Sequence, residues 1–87
     1  MKALRIRKWL NRTGHHSSAF VFVNIGGEDG DGTLRIADCS RQVDLAVDWY
    51  NKGQWSNTLH KLDVLTTALE QTYYHILEYG EEKGWKL

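Results

Sequence analysis

The stretch Ala19-Phe20-Val21-Phe22-Val23-Asn24-Ile25 decides the fold. Successive side chains of a strand point to opposite sides of a sheet, so this run is apolar on both faces. The rest of the chain offers one long helix, over residues 57–79, and one helix covers one face. The other face needs cover from elsewhere. Exposed contiguous apolar surface on a small protein marks a contact site, so the mismatch predicts a binding or self-association surface.

Working outward, residues 26–32 (GGEDGDG) carry the strongest turn signal in the chain, since glycine accepts the positive φ values of tight turns. The third strand, residues 33–38, sets Leu34 and Ile36 against Arg35 and Ala37. The fourth, residues 43–50, has the cleanest period of two: Val43, Leu45, Val47 and Trp49 alternate with Asp44, Ala46, Asp48 and Tyr50. Upstream, the second strand opens at Ser18, and the polar run 11–17 is a loop. In the first strand, residues 2–11, Leu4, Ile6 and Leu10 alternate with Arg5, Arg7 and Trp9.

The helix is predicted to start at a Ser56 or Asn57 cap and to stop at Gly80. Its stripe of Leu59, Leu62, Leu65, Leu69, Tyr73 and Ile76, with Leu77 at the margin, should pack on the sheet. The tail, residues 80–87, brings Trp85 back over an exposed edge. No proline, repeat or linker divides the chain, so residues 1–87 form one α+β domain: a four-stranded antiparallel meander with a C-terminal helix on one face, ββββα.

Composition sets the outer limits. The 87 residues are 41% hydrophobic and 25% charged, which suits a globular chain, but a core of this size is marginal without a partner, and a homodimer would supply one. A single cysteine, Cys39, allows no internal disulfide and no cysteine cluster for a metal, which fits a reducing cytosol. The basic N-terminus is followed by no apolar run of signal-peptide length, and nowhere do about 18 apolar residues follow one another; the expectation is a cytoplasmic protein with no membrane contact. Net charge is zero but polarised: residues 1–27 hold five basic and no acidic side chains, residues 28–87 six basic and eleven acidic.

If the helix covers the aliphatic face, the other face shows Arg5, Arg7, Trp9, Phe20, Phe22, Arg35, Asp44, Asp48 and Tyr50. Aromatic rings and guanidinium groups together suit a protein interface, where these types are enriched. They also suit stacking and phosphate contact with a single-stranded nucleic acid, aided by Lys2 and Lys8. Asp44 and Asp48 weigh against the second reading, since they repel phosphates and can pair with the arginines. The spaced aromatics of an RNP1 motif are absent, and the strand order differs from βαββαβ. A second patch is expected on the outer side of the helix at Val64, Ala68, Gln71 and His75, small at its centre and pH-sensitive through His60 and His75.

Catalytic and metal chemistry find no support in the spacing. His15, His16, His60, His75 and Cys39 are the only soft or borderline ligands, and they form no HxxxH or CxxC pattern. The Asp29–Gly32 run lacks the later ligands of a calcium loop. The Gly26–Gly32 turn carries three acids and no following Lys-Ser or Lys-Thr, so it is no phosphate cradle. Cys39 is expected to be a small buried hydrophobe. Among the loop aromatics Trp49 reads as a structural pin, whereas Tyr50 and Trp55 join the contact candidates.

The predicted class is a small non-enzymatic protein-binding module, without cofactor, that self-associates or occupies a partner's surface. A bacterial or phage accessory or inhibitor protein is a product of this kind. Its predicted contact set is Arg5, Arg7, Trp9, Phe20, Phe22, Arg35, Tyr50 and Trp55.

Overall fold

The computed structural model describes residues 2–15, 18–26 and 30–87. Four strands, β1 (Leu4–Trp9), β2 (Phe20–Ile25), β3 (Gly32–Asp38) and β4 (Arg41–Ala46), pair antiparallel in the order β1-β2-β3-β4, and one helix, α1 (Lys52–Glu82), follows. This is the ββββα meander that the alternating patterns predict. Gly27 to Asp29 of the GGEDGDG turn lie outside the described residues, as does His16.

Register sorts the side chains, because residues directly opposite share a face. Leu4 and Ile6 align with Ile25 and Val23, then with Gly32 and Leu34, and Leu34 and Ile36 with Leu45 and Val43. This is the aliphatic face. Arg5, Arg7 and Trp9 align with Asn24, Phe22 and Phe20, then with Thr33, Arg35 and Ala37, and last with Ala46, Asp44 and Gln42.

Two boundaries differ from expectation at β4. The β3–β4 hairpin closes in two residues, since Asp38 opposes Arg41, so the strand begins earlier than residue 43. Cys39 occupies the first turn position with φ 56 and is exposed, not buried; a two-residue hairpin turn that follows the sheet twist demands positive φ there. At the other end the regular strand stops at Ala46, but Val47 and Trp49 still donate to the carbonyls of Gly32 and Gly30 at 3.0 and 2.9 Å. The side chains of Asp48 and Tyr50 turn to the start of β3 and the residue before it, Asp48 to the Gly32 N–H and Tyr50 to Asp31.

The helix is longer than its sequence pattern suggests. Asn51, not Ser56 or Asn57, is the N-cap: its side chain accepts from the Gln54 N–H at 2.9 Å, and Gln54 Oε1 accepts from the Tyr50 N–H at 3.1 Å. This reciprocal arrangement resembles a capping box displaced by one residue. Gly80 does not stop the helix. Trp85 N–H reaches the Gly80 carbonyl and Gly84 N–H the Glu81 carbonyl, with Gly84 at φ 83, which is the Schellman arrangement with glycine in the left-handed position. Gly80 instead makes room for the tail: a Cβ there would lie 3.3 Å from the Trp85 ring, which packs edge-on to Tyr79.

Among the described residues, the side chains of α1 that hydrogen-bond to β4 and the link after it lie in its first half. Val47 N–H points to β3, so by alternation the carbonyls of Ala46 and Asp48 point away from it. Lys61 Nζ donates to the first at 2.8 Å and Thr58 Oγ1 to the second at 2.6 Å. The helix thereby covers the last carbonyl of the β4 edge and one in the link beyond it, backbone groups that a free edge leaves unpaired. Of the predicted stripe, Leu62, Leu65 and the marginal Leu77 are half-buried, while Leu59, Leu69, Tyr73 and Ile76 are exposed. The expectation that the whole stripe packs on the sheet is thus corrected. A helix of 31 residues runs about 46 Å, more than twice the length of a six-residue strand at about 20 Å, and the second half has no sheet beneath it.

Burial is correspondingly thin. Ala19, Ala37 and Val47 are the buried hydrophobic residues among those described, and every residue of β2 remains half-buried. The chain exposes 7413 Å², where a compact monomer of its mass exposes about 5,300 Å². Its radius of gyration is 16.1 Å, against about 12 Å for a compact chain of this length. Among the described residues no helix is long and apolar enough to cross a membrane.

Candidate interaction face

The face carrying Arg5, Arg7, Trp9, Phe20, Phe22 and Arg35 has two differently built ends. At the β1–β2 end, Trp9 and Phe20 sit opposite each other and meet edge to face, with ring centroids 5.9 Å apart and planes at 80°. The Arg7 guanidinium lies 5.5 Å from the Phe20 ring centre and 5.9 Å from that of Trp9. A cation over the negative face of an aromatic ring is attracted by the ring quadrupole. Trp9 is nevertheless 62% exposed. Neither Arg5 nor Arg7 has an ion pair among the described residues.

At the β3–β4 end the charge is cancelled. Arg35 and Asp44 are cross-strand partners, and Nε and Nη2 of Arg35 donate to the two carboxylate oxygens at 2.7 and 3.0 Å. This forked geometry is the strong form of an arginine–carboxylate contact. The hydrogen bond from Arg35 holds the Asp44 carboxyl below its ordinary range, with partial desolvation opposing and the guanidinium charge assisting; Arg35 is raised in turn, by the hydrogen bond and the charge of Asp44. Between the two ends stands Phe22, half-buried. Beside it Asn24 has a buried Oδ1 with no hydrogen-bond partner, and Arg5 lies directly across the strand pair.

The structure thus brings six of the eight predicted contact residues onto one face and leaves two elsewhere. Tyr50 belongs to the link before α1, where its ring lies over Gly30 and its hydroxyl donates to Asp31. It fastens the β2–β3 connection to the helix entry. Trp55 is in the first turn of α1, 48% exposed, with its backbone N–H on the Asn51 carbonyl. Asp48 also leaves the face: its Oδ1 accepts from the Gly32 N–H at 3.4 Å. Lys8, grouped by sequence with the phosphate-binding candidates, falls opposite Val21 on the aliphatic face. Positive charge on the aromatic side is therefore limited to Arg5 and Arg7, with Arg35 neutralised.

The second predicted patch, Val64, Ala68, Gln71 and His75, is exposed along the outer side of α1, and the Ala68 carbonyl accepts from Thr72 Oγ1 at 2.8 Å. Sequence reasoning missed a larger feature on the stripe side. Trp85, folded over Gly80, closes a shallow groove of about 700 Å³ lined by Ile76, Leu77, Tyr79, Gly80, Glu81, Trp85, Lys86 and Leu87. The signal was the length of the apolar stripe, which outruns any six-residue strand. Among the described residues no group of three His, Cys, Asp or Glu side chains could hold a metal ion. Compared with known proteins, the chain matches no family model, no curated protein and no solved structure.

Proposed function

We propose that the protein is a small binding module that acts by occupying a protein partner's surface with its aromatic and arginine sheet face. The observation that carries this reading is the Arg7–Trp9–Phe20 cluster: an exposed tryptophan held rigid by a neighbouring ring and a guanidinium with no carboxylate. Tryptophan and arginine are the residue types that dominate binding energy at interfaces, and rigid rings lose little entropy on docking. The free charges at this end favour an acidic rim on the partner. A role as an accessory or inhibitory protein follows from the same logic, since blocking a surface needs no catalytic group.

Single-stranded nucleic acid is the second reading, supported by the stacking of Arg7 on two rings. It is weakened by the Arg35–Asp44 pair and by Lys8 on the opposite face. The test is binding to a captured partner with wild type, Trp9→Ala and Arg7→Glu beside one another, together with titration of a fluorescent single-stranded oligonucleotide. Protein binding should fall by more than tenfold in both variants, which corresponds to about 1.4 kcal/mol, and change little with salt. Oligonucleotide binding that weakens steeply as salt rises would instead select the second reading. A partner bound equally by all three forms would overturn the assignment of this face.

A further inference from the structure

The sheet does not hold all of the exposed apolar surface among the described residues. Beyond Leu65 the stripe of α1 continues as Leu69, Tyr73 and Ile76, which are 58%, 55% and 64% exposed, and it ends where Trp85 folds over Gly80. Among the described residues nothing from the sheet covers these side chains, and no strand residue approaches any residue of α1 within 8 Å between Cα atoms. We propose that this second half of α1 is the interface between two copies of the chain, paired antiparallel about a twofold axis. The inference stands apart from the sheet-face reading and assigns self-association to a different surface.

Three observations select a second copy as the occupant. The first is area. The chain exposes about 2,100 Å² more than a compact monomer of its mass, and a standard stable interface buries about 800 Å² on each partner, obligate homodimers more. The surplus is therefore of the size that a permanent dimer removes, and the exposed Leu69, Tyr73 and Ile76 contribute to it. The second is charge. Past Leu65 the helix itself holds Glu70, Glu78, Glu81 and Glu82 and no lysine or arginine, with Lys83 and Lys86 just beyond its last turn. Parallel pairing would set the four carboxylates beside their copies. Antiparallel pairing separates each from its copy and opposes the two helix dipoles favourably. The third is symmetry. A twofold axis across the second half of α1 sets the same exposed residues of both copies against one another, and the rotation carries the two sheets to opposite ends of the helix pair.

The test is solution mass by light scattering across a dilution series for wild type, Ile76→Glu and Trp9→Ala. Wild type and Trp9→Ala should give about 20 kDa, twice the 10.1 kDa chain, and Ile76→Glu should give the single chain. Ile76 already faces solvent within one chain, so glutamate disturbs no packing of the chain itself. A second measurement does not depend on any dissociating variant. In a Cys39→Ser background a single spin label at position 72 should show a short distance between copies, and a label at position 57 a distance of about 45 Å or more, since the two sites diverge by about 1.5 Å per residue on each helix. A wild type that stays at 10 kDa at all concentrations overturns the proposal. So does a dimer split by Trp9→Ala but not by Ile76→Glu, or short distances at both label positions.

Discussion

The two halves of α1 share a helix and an apolar stripe but differ in everything that surrounds them. From Asn51 to Leu65 the helix is capped, hydrogen-bonded to the β4 edge through Thr58 and Lys61, and half-buried at Leu62 and Leu65. From Thr66 to Glu82 it keeps its shape through its own backbone ladder, the terminal Schellman arrangement and the Trp85 contact, with Leu69, Ile76 and the tyrosines exposed and Leu77 half-buried. An amphipathic helix draws most of its stability from tertiary packing of its apolar face and not from intrinsic propensity. The first half is fastened to the chain by side-chain hydrogen bonds and half-buries Leu62 and Leu65. The second half has no such fastening to the sheet among the described residues, which is why the proposed self-association is assigned to it.

The seat of the first half can be broken at Gly32. A Cβ at this position would lie 2.8 Å from the Val47 carbonyl oxygen, 2.9 Å from its Cγ2 and 3.0 Å from the Trp49 ring. Glycine here is a requirement of close approach, because β3 must let the Val47–Trp49 link cross it before α1 begins. Gly32→Val should cost about 3 kcal/mol or more, the upper range for overpacking a tight site. It should detach the helix from the sheet, read as a lower midpoint in urea and loss of near-ultraviolet tryptophan signal. A variant with wild-type stability would mean that the link does not pin the helix.

The caps sharpen the comparison, because one belongs to each half. Asn51→Ala removes the acceptor for the Gln54 N–H and should cost about 1 kcal/mol in global unfolding, since the first turn is continuous with the sheet. Gly84→Ala forces a Cβ into the left-handed region at a similar intrinsic cost of about 1 kcal/mol. Hydrogen exchange separates the two. At dilutions where chains are single, Gly84→Ala should speed exchange only over the last turns of α1, leaving the sheet and residues 52–65 unchanged, whereas Asn51→Ala should speed exchange throughout. Equal spread of both effects would show that the two halves unfold as one unit in the isolated chain.

How much of this was legible in the sequence depends on the period of the signal. The meander, its two faces and the Arg5–Arg7–Trp9–Phe20–Phe22–Arg35 set follow from alternation along strands, and the register places them together. The helix start was misread because Gly53 and Trp55 look like loop residues, while the cap that overrides them, Asn51 with Gln54, is a side-chain geometry with no periodic trace. The stop at Gly80 was misread for a related reason. A glycine near a helix end either ends it or admits a neighbour, and only the tail's path shows that Gly84 does the first and Gly80 the second. Cys39 was assigned to the interior on its residue type, but a two-residue hairpin put it at the tip. The stripe itself was read correctly as apolar. What it packs against could not be read from a helix more than twice the length of its strands.

The smallest expected effect concerns the sheet's own contrast between a neutralised and a free arginine. Asp44 has its pKa lowered in the folded chain by the Arg35 hydrogen bond. A depressed carboxyl contributes stability above its unfolded value, and that contribution is lost as pH falls through the lowered folded value. Stability should therefore decline on acidification from near the ordinary aspartate range, and Asp44→Asn should remove this part of the decline while leaving stability at neutral pH nearly unchanged, because the pair is exposed and screened. Acid titration of urea midpoints for wild type and Asp44→Asn measures it. The same pair of proteins examines the interaction face. Freeing Arg35 by Asp44→Asn adds a third uncompensated cation beside Arg5 and Arg7, so binding to a partner with an acidic rim should strengthen and become more salt-dependent. Binding that weakens would mean that Asp44 itself contacts the partner, and would shift the recognised surface from the β1–β2 end toward β4.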